Sequence, residues 1–198
     1  MDMPRPGDAH KKLSSFVGDW IGTETLHPSP WDPAGGTAAA RVVNRWVVDG
    51  FAVVQDYEQR RGGAVNFRGH GVIWFDAAKQ QYVMHWVDSM SGNNSEHRGA
   101  FTGDVLTLGA PMPMGGHSRT VWDFSKPGAY TFLIEVSPDG QNWAPAMSGA
   151  YTKNAARKST ATPATKSKAA LKKKPQHKKK AAARPAKRTQ KTKKSKKR

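Results

Sequence analysis

The chain contains no cysteine, and none of its apolar runs approaches the length of a membrane-spanning helix. The first absence excludes disulfides, thiolate catalysis and cysteine-ligated zinc. The second excludes a transmembrane helix, which needs about 18 consecutive apolar residues. The amino end also lacks the apolar segment that a secretory signal peptide carries. We therefore expect a cytoplasmic protein with no membrane insertion.

Acidic residues are missing from one region only. Residues 153–198 hold 20 of the 32 lysines and arginines and no acid, whereas residues 1–152 hold 12 basic residues, 15 acidic residues and all 18 aromatics. The net charge of +17 thus joins a body at −3 to a tail at +20. Since the tail has too little apolar surface to offset its ordering entropy, we expect a flexible amino terminus (1–9), a folded body (10–152) and a disordered tail (153–198).

The tail composition predicts a segment that binds polyanions. Closely spaced cations neutralise phosphates and release counterions, which gives affinity without sequence preference. The lysine, alanine and proline content resembles the carboxyl tails of linker histones and bacterial histone-like proteins, which implies DNA or RNA as the partner and association with the nucleoid. Alternatives are a solubilising tail or another polyanion. The candidate nucleic-acid-binding residues are Lys172, Lys173, Lys174, Lys178, Lys179, Lys180, Arg184, Lys187, Arg188, Lys193, Lys194, Lys196, Lys197 and Arg198.

The body has the apolar periodicity of a β protein. Leu13, Phe16 and Val17 form one stripe of a short helix, and after Gly18 the period changes to two. Turn residues then divide the chain into short strands, with Asp49-Gly50 as the sharpest hairpin signal. We predict strands at residues 19–27, 39–48, 51–59, 66–76, 81–88, 95–101, 105–108, 118–124, 130–136 and 146–152.

These strands predict an all-β fold, because the short connections leave no room for crossover helices. An antiparallel up-and-down meander of about eight to ten strands avoids exposed edges best by closing into a barrel. The sequence Gly18-Asp19-Trp20 resembles the Gly-x-Trp opening of lipocalin-type barrels, in which a tryptophan plugs the closed end beside a short helix.

Further segments resemble the bacterial DUF1579 family, a lipocalin-like group of uncharacterised function. They lie in the same order in this chain, at residues 46–51, 55–57, 69–76 and 82–90. The resemblance covers residues 13–153 and is closer in the first half. It implies a lipocalin-like β-barrel and supplies little chemistry.

A barrel of this size holds side chains or one small ligand, and alternate residues of each strand face the lumen. If Trp20 points inward, Glu24 on the same strand also points inward and needs a partner, for which Arg119 and Arg45 are candidates. The alternatives are that Glu24 faces outward or lies at the rim, and that Asp88 only begins a turn. The candidate ligand-binding residues are Trp20, Glu24, Gln55, Tyr57, Trp86, Asp88 and Arg119.

The sequence contains no nucleophile elbow, dinucleotide fingerprint or P-loop, so we assign no catalytic residue and no cofactor. Its histidines lack the spacing of a helical zinc site, so we assign no metal.

The leading hypothesis is a non-enzymatic barrel that binds a small apolar or amphipathic ligand, with the oligomeric state left open. One alternative is a lumenal isomerase or hydrolase that uses Glu24 or Asp88. Another, implied by a partial resemblance to nitrobindin-like barrels, is haem bound by a lumen histidine. The histidines of the body are His10, His27, His70, His85, His97 and His117.

Overall fold

The computed structural model describes residues 3–29 and 32–155. It contains a short helix α1 (Asp8–Lys12), a 3-10 turn (Leu13–Ser15) and ten antiparallel strands that form one closed barrel. The predicted fold class is therefore confirmed, including the short amino-terminal helix. The strands are β1 (Gly18–Leu26), β2 (Gly36–Val47), β3 (Ala52–Arg61), β4 (Ala64–Asp76), β5 (Gln81–Asp88), β6 (Asn94–Thr102), β7 (Val105–Pro111), β8 (His117–Asp123), β9 (Ala129–Ser137) and β10 (Ala144–Lys153).

Each strand pairs with the next one along the chain, and β10 pairs with β1 to close the barrel. The connections after odd-numbered strands therefore lie at one end, which we call the mouth. The connections after even-numbered strands lie at the other end, which we call the plugged end because α1 and the 3-10 turn cover it. β10 finishes there, with Lys153 paired to Trp20.

The plug is held by apolar burial and by hydrogen bonds to its backbone. Leu13 and Phe16 are fully buried, and the Phe16 ring packs edge-on against Trp122 at 5.6 Å. The Phe16 carbonyl accepts hydrogen bonds from Trp20 Nε1 (2.7 Å) and Asn44 Nδ2 (2.8 Å). The α1 carbonyl of Ala9 accepts one from the Tyr82 hydroxyl (2.8 Å). These bonds satisfy polar groups that burial would otherwise leave without water.

The hairpin between β2 and β3 has a longer turn than the Asp49-Gly50 signal predicts. Three successive residues, Val48, Asp49 and Gly50, have φ values of +50°, +52° and +92°. A type I′ turn has positive φ at its two central residues only. The extra residue is Val48, a β-branched side chain in a conformation that few such residues adopt.

The observed elements also differ from the prediction at their ends. The helix begins at Asp8, within the segment expected to be loose, and β2 begins three residues early at Gly36. Pairing with β1 extends β2 to residues before its apolar core, which periodicity alone does not reveal. No helix of the described residues is long and apolar enough to cross a membrane. The predicted tail contacts, residues 172–198, lie outside the described part of the chain.

Candidate functional site

The lumen contains a cavity of about 230 Å³ in the half of the barrel nearer the mouth. It shares four wall residues with a second cavity of about 500 Å³ that opens at the mouth. The wall of the first, deeper cavity is mostly aromatic, and methionine, valine and isoleucine side chains complete it. The seven aromatic side chains around the deeper cavity are Tyr57, Phe67, Trp86, Trp122, Tyr130, Phe132 and Tyr151.

Glycines on β4 make room for the largest of these rings. Gly69 and Gly71 face the lumen beside Trp86, and a Cβ atom at position 69 would lie 2.0 Å from Trp86 Cζ2. A Cβ atom at position 71 would lie 2.6 Å from Met84 Cε. The indole therefore occupies space that side chains on β4 would otherwise fill. Trp86 Nε1 donates to Asp88 Oδ2 at 3.1 Å, which fixes the direction of the ring.

A fully buried carboxylate lies behind the aromatic wall. Glu24 Oε2 accepts hydrogen bonds from the Tyr57 hydroxyl (2.7 Å) and Gln59 Nε2 (2.6 Å), and Glu24 Oε1 accepts one from the Tyr151 hydroxyl. Tyr57 and Gln59 lie on β3, two strands away from β1. They reach Glu24 because the intervening strand β2 has only alanines, Ala38 and Ala40, on its inner face at this level.

This network controls the ionisation of the lumen tyrosines. Burial raises the pKa of Tyr57, Tyr130 and Tyr151, and the negative charge of Glu24 raises each pKa further. Tyr130 stacks on Tyr151 with ring centroids 4.7 Å apart. These phenols therefore remain protonated at neutral pH, and two of them use their protons to hold Glu24.

Two buried polar side chains face the cavity without a partner. Gln55 on β3 is 5% exposed and Thr120 on β8 is 7% exposed, and both line the cavity. Neither side chain has a hydrogen bond to any other described residue. The two strands are five positions apart in either direction around the barrel, so the groups belong to opposite walls. Because these groups face cavity space rather than packed protein, a ligand or water in the lumen can reach them.

Comparison with protein families gives an independent result. Residues 5–153 match the family described as "Protein of unknown function (DUF1579)". The chain belongs to this family. No curated protein matches the sequence at a significant level.

Solved structures of other proteins share the fold. The crystal structure of Rv2717c from M. tuberculosis superposes with a TM-score of 0.56 at 15% identity, over 75% of this chain and 98% of that one. The S-type phycobiliprotein lyase CPES from Guillardia theta gives a TM-score of 0.48 at 10% identity, over the same shares of the two chains. At these identities the first likeness shows the fold alone.

Four of the predicted site residues, Gln55, Tyr57, Trp86 and Asp88, line the deeper cavity of this DUF1579 barrel. Glu24 faces inward but lies behind the wall. Asp88 also begins a turn, as the alternative interpretation holds, since its Oδ1 accepts hydrogen bonds from the backbone of the two residues at positions 90 and 91. The same carboxylate thus caps the turn and reaches the lumen.

The arginines expected to pair with Glu24 do not do so, and that part of the prediction is wrong. Arg119 alternates with the inward residues of β8 and therefore lies outside, where its Nε donates to Glu135 Oε2 at 2.6 Å and its guanidinium covers the Trp143 ring at 4.2 Å. Arg45 lies on the outer face near Asp56. The partners of Glu24 are neutral donors.

Trp20 lies inward, but below the cavity. Its indole donates to the Phe16 carbonyl and belongs to the plug rather than to the cavity wall. This position agrees with the plugging role that the lipocalin resemblance implies. It does not place Trp20 in contact with a ligand in the 230 Å³ cavity.

Sequence reasoning missed Gln59, Thr120, Tyr130 and Tyr151. Gln59 has the same parity as Gln55 and Tyr57, so extending that face by one step would have included it. Thr120 has the same parity as Trp122 on β8, so the inward tryptophan would have identified Thr120 in place of its neighbour at position 119. No sequence signal distinguishes Tyr130 and Tyr151 from ordinary core tyrosines.

The deeper cavity of the described lumen is too small for haem. His97 is the histidine that lines it, and His97 Nε2 lies 3.0 Å from Ser95 Oγ. Burial lowers the pKa of His97, which keeps the ring neutral at pH 7. An apolar cavity of about 150 Å³ accommodates benzene, so 230 Å³ suits a single substituted ring rather than the four pyrroles of a porphyrin.

Proposed function

We propose that the protein is a non-enzymatic binding module whose barrel lumen takes up a small apolar or amphipathic molecule. The observation that carries this proposal is the aromatic cavity with two buried, unpartnered hydrogen-bonding groups, Gln55 and Thr120, on opposite walls. Ligand pockets are usually concave and apolar with a few convergent polar groups. The cavity of about 230 Å³ is smaller than the ~300–1,000 Å³ of most such sites, and it adjoins the cavity of about 500 Å³ at the mouth.

The position of Glu24 favours binding over lumenal catalysis. Both carboxylate oxygens already accept hydrogen bonds, and the residue is fully buried behind the tyrosines. A general acid or base must lie within hydrogen-bonding reach of the reacting group. In this barrel the carboxylate serves to hold Tyr57 and Tyr151 in the wall.

Native mass spectrometry of the full-length protein purified from its own host tests the lumen proposal. We expect a protein species with a small bound compound, and loss of that species in the Gly69→Ala variant, because a Cβ atom at this position displaces Trp86. Gly109→Ala is the matched control, since a Cβ atom at position 109 meets only an ordinary contact of 3.5 Å. Equal retention by both variants would contradict lumen binding.

We also propose that the tail tethers the barrel to nucleic acid or another polyanion, which would bring the protein to the nucleoid. The support is compositional: residues 153–198 carry 20 cations and no acid, while the body carries a net charge of −3 and gives no electrostatic reason to bind phosphate. β10 ends at the plugged end, and Asn154 N still donates to the Asp19 carbonyl at 2.8 Å. Truncation after residue 155 therefore keeps every described strand.

Gel shifts on duplex DNA, with the full chain compared with residues 1–155, test the tether. If six to ten phosphates are contacted, the affinity of the full chain should fall by about 10³–10⁵-fold between 50 and 200 mM salt. The truncated chain should show no shift. Equal DNA binding by the two proteins would overturn the tether and leave the lumen proposal intact. A polyphosphate competitor distinguishes nucleic acid from polyanions in general.

A further inference from the structure

The wall formed by β3, β4 and β5 carries a group of side chains that face one another across two glycines. Gln55 pairs with Gly71, which pairs in turn with Trp86. One level nearer the mouth, Tyr57 pairs with Gly69, which pairs with Asp88. Because the glycines contribute no side chains, an amide, an indole, a phenol and a carboxylate share this part of the wall.

The electron-rich faces of this wall suit a cation. The Tyr57 and Trp86 rings meet edge to face with centroids 6.1 Å apart. The Tyr57 hydroxyl donates a hydrogen bond to the Glu24 carboxylate, which increases the electron density of the phenol ring. Cations bind above such rings, and aromatic cages recognise ammonium groups in this way. The Gln55 amide oxygen is available because the side chain has no other partner among the described residues.

The charges around the cavity are all negative or neutral. Asp88 is the carboxylate in its wall, Glu24 lies just behind, and no described lysine or arginine lines it. His97 faces the same space, but burial lowers its pKa and keeps it neutral at pH 7. At the mouth, Arg61 is already paired with Asp32 at 2.8 Å. An anionic ligand would therefore enter a space without a cation to meet it.

We propose that the lumen selects organic cations, namely a protonated amine carried on an apolar group about the size of one ring. The ammonium lies between Asp88, Gln55 and the faces of Tyr57 and Trp86, and the apolar group occupies the rest of the cavity. This inference rests on the proposed ligand-binding function and adds the charge of the ligand to it.

Three compounds of similar shape and different charge test the selection: 2-phenylethylamine, 2-phenylethanol and 3-phenylpropanoate. Isothermal titration calorimetry of the full-length protein at pH 7 and 150 mM salt should give at least tenfold tighter binding of the amine than of the alcohol. The carboxylate should bind at least tenfold more weakly than the alcohol. Such ratios are in the range expected for one charged hydrogen bond together with cation–π contacts.

The Asp88→Asn variant should lower the ratio of amine affinity to alcohol affinity from at least ten to about one. Asparagine retains an Oδ1 acceptor for the turn that Asp88 caps but replaces the oxygen that accepts from Trp86 Nε1, so the ratio of the two affinities is the quantity compared. Asp139→Asn is the matched control, because Asp139 caps a turn at the mouth in the same way and does not line the cavity. Should the Asp88 variant fail to fold, Gln55→Leu takes its place and is expected to weaken the amine selectively.

The possible outcomes separate the two proposals. Equal binding of the amine and the alcohol, or tightest binding of the carboxylate, would overturn cation selection while the lumen remained a ligand site. An equal loss of amine affinity in the Asp88 and Asp139 variants would show general electrostatics and would also overturn it. If none of the three compounds binds, both the cation selection and the ring-sized lumen site are wrong.

Discussion

The two halves of the barrel interior differ in what surrounds their buried polar groups. At the plugged end, Asn44 Nδ2 and the Trp20 indole both donate to the Phe16 carbonyl, Asn44 Oδ1 is buried without a partner, and apolar side chains fill the space around them. In the mouth half, Gln55 and Thr120 face a cavity with no partner. The first half is built for stability. The second retains hydrogen-bonding capacity at a cost in stability, which is the usual sign of a binding site.

Small residues produce this difference. Glycines at positions 69 and 71 make room for Trp86, and Gly149 lies beside Glu24, where an added Cβ atom would be 3.1 Å from Glu24 Cγ. Alanines 38 and 40 let two β3 side chains cross β2 to the same carboxylate. The cavity is thus shaped by residues that carry little chemistry themselves.

The largest expected difference between the halves is in the free energy of unfolding lost when a phenylalanine is replaced by alanine. Phe16→Ala removes a fully buried ring from the plug and should lower the free energy of unfolding by about 3–5 kcal/mol. Phe132→Ala, at a partly buried position beside the existing cavity, should cost roughly half as much or less. Urea unfolding of the two variants measures the difference. Equal losses would mean that both halves are packed alike.

The tyrosine cluster predicts unfolding at alkaline pH. The folded protein keeps Tyr57, Tyr130 and Tyr151 protonated above pH 10, whereas the unfolded chain releases these protons near its ordinary pKa of 10.0. The folded state therefore binds more protons than the unfolded state, and stability falls as the pH rises above 10. Each tyrosine contributes a loss of about 1.4 kcal/mol per pH unit, or roughly 4 kcal/mol for three.

Absorbance at 295 nm, followed with circular dichroism, checks this prediction. Tyrosinate should form together with the loss of β structure, because burial also raises the pKa of Tyr82, the remaining tyrosine of the chain. Gradual ionisation near pH 10 in a protein that keeps its circular dichroism would show that the phenols are accessible.

Gly69→Ala tests whether glycine creates the cavity. The new Cβ atom would lie 2.0 Å from Trp86 Cζ2, so the indole must move. Overpacking of this kind costs about 1–3 kcal/mol, and the displaced ring should also reduce the binding of 2-phenylethylamine. Gly109→Ala should change neither quantity. Thermal melts and calorimetry on the same samples report both effects.

The smallest expected effect has the opposite sign. Gln55→Leu replaces an unpartnered buried amide with an apolar group, so the stability of the empty barrel should stay unchanged or rise by up to about 1 kcal/mol. Asn44→Leu removes an amide that donates to the plug and should instead destabilise the barrel by about 1–3 kcal/mol. Destabilisation by both variants would indicate that Gln55 is a structural residue.

The fold could be predicted from the sequence because the alternation of apolar and polar residues and the positions of turn residues are local signals. Ten strands, a short helix and the inward direction of Trp20 and Glu24 follow from periodicity and from the family resemblance. The partners of Glu24 depend on which strands neighbour β1 across the alanines of β2, and this information is not local. For that reason the expectation of an arginine partner was wrong, although the expectation of an inward carboxylate was correct.

The candidate site was partly predictable for the same reason. Parity selected Gln55, Tyr57, Trp86 and Asp88 on two strands, but Thr120 required the orientation of β8, for which Trp122 is the only strong marker. That Gln55 and Thr120 lack partners depends on three-dimensional packing, and no sequence pattern reveals it.

Methyl NMR of the full-length protein titrated with 2-phenylethylamine tests the lumen site most directly. Met84 and Met147 line the cavity, whereas Met3 and Met114 are 82% and 99% exposed. We predict saturable chemical-shift changes at the ε-methyl groups of Met84 and Met147 and none at Met3 and Met114. No change at the two lumen methionines at saturating ligand, or changes at the exposed pair alone, would contradict a ligand site in the lumen.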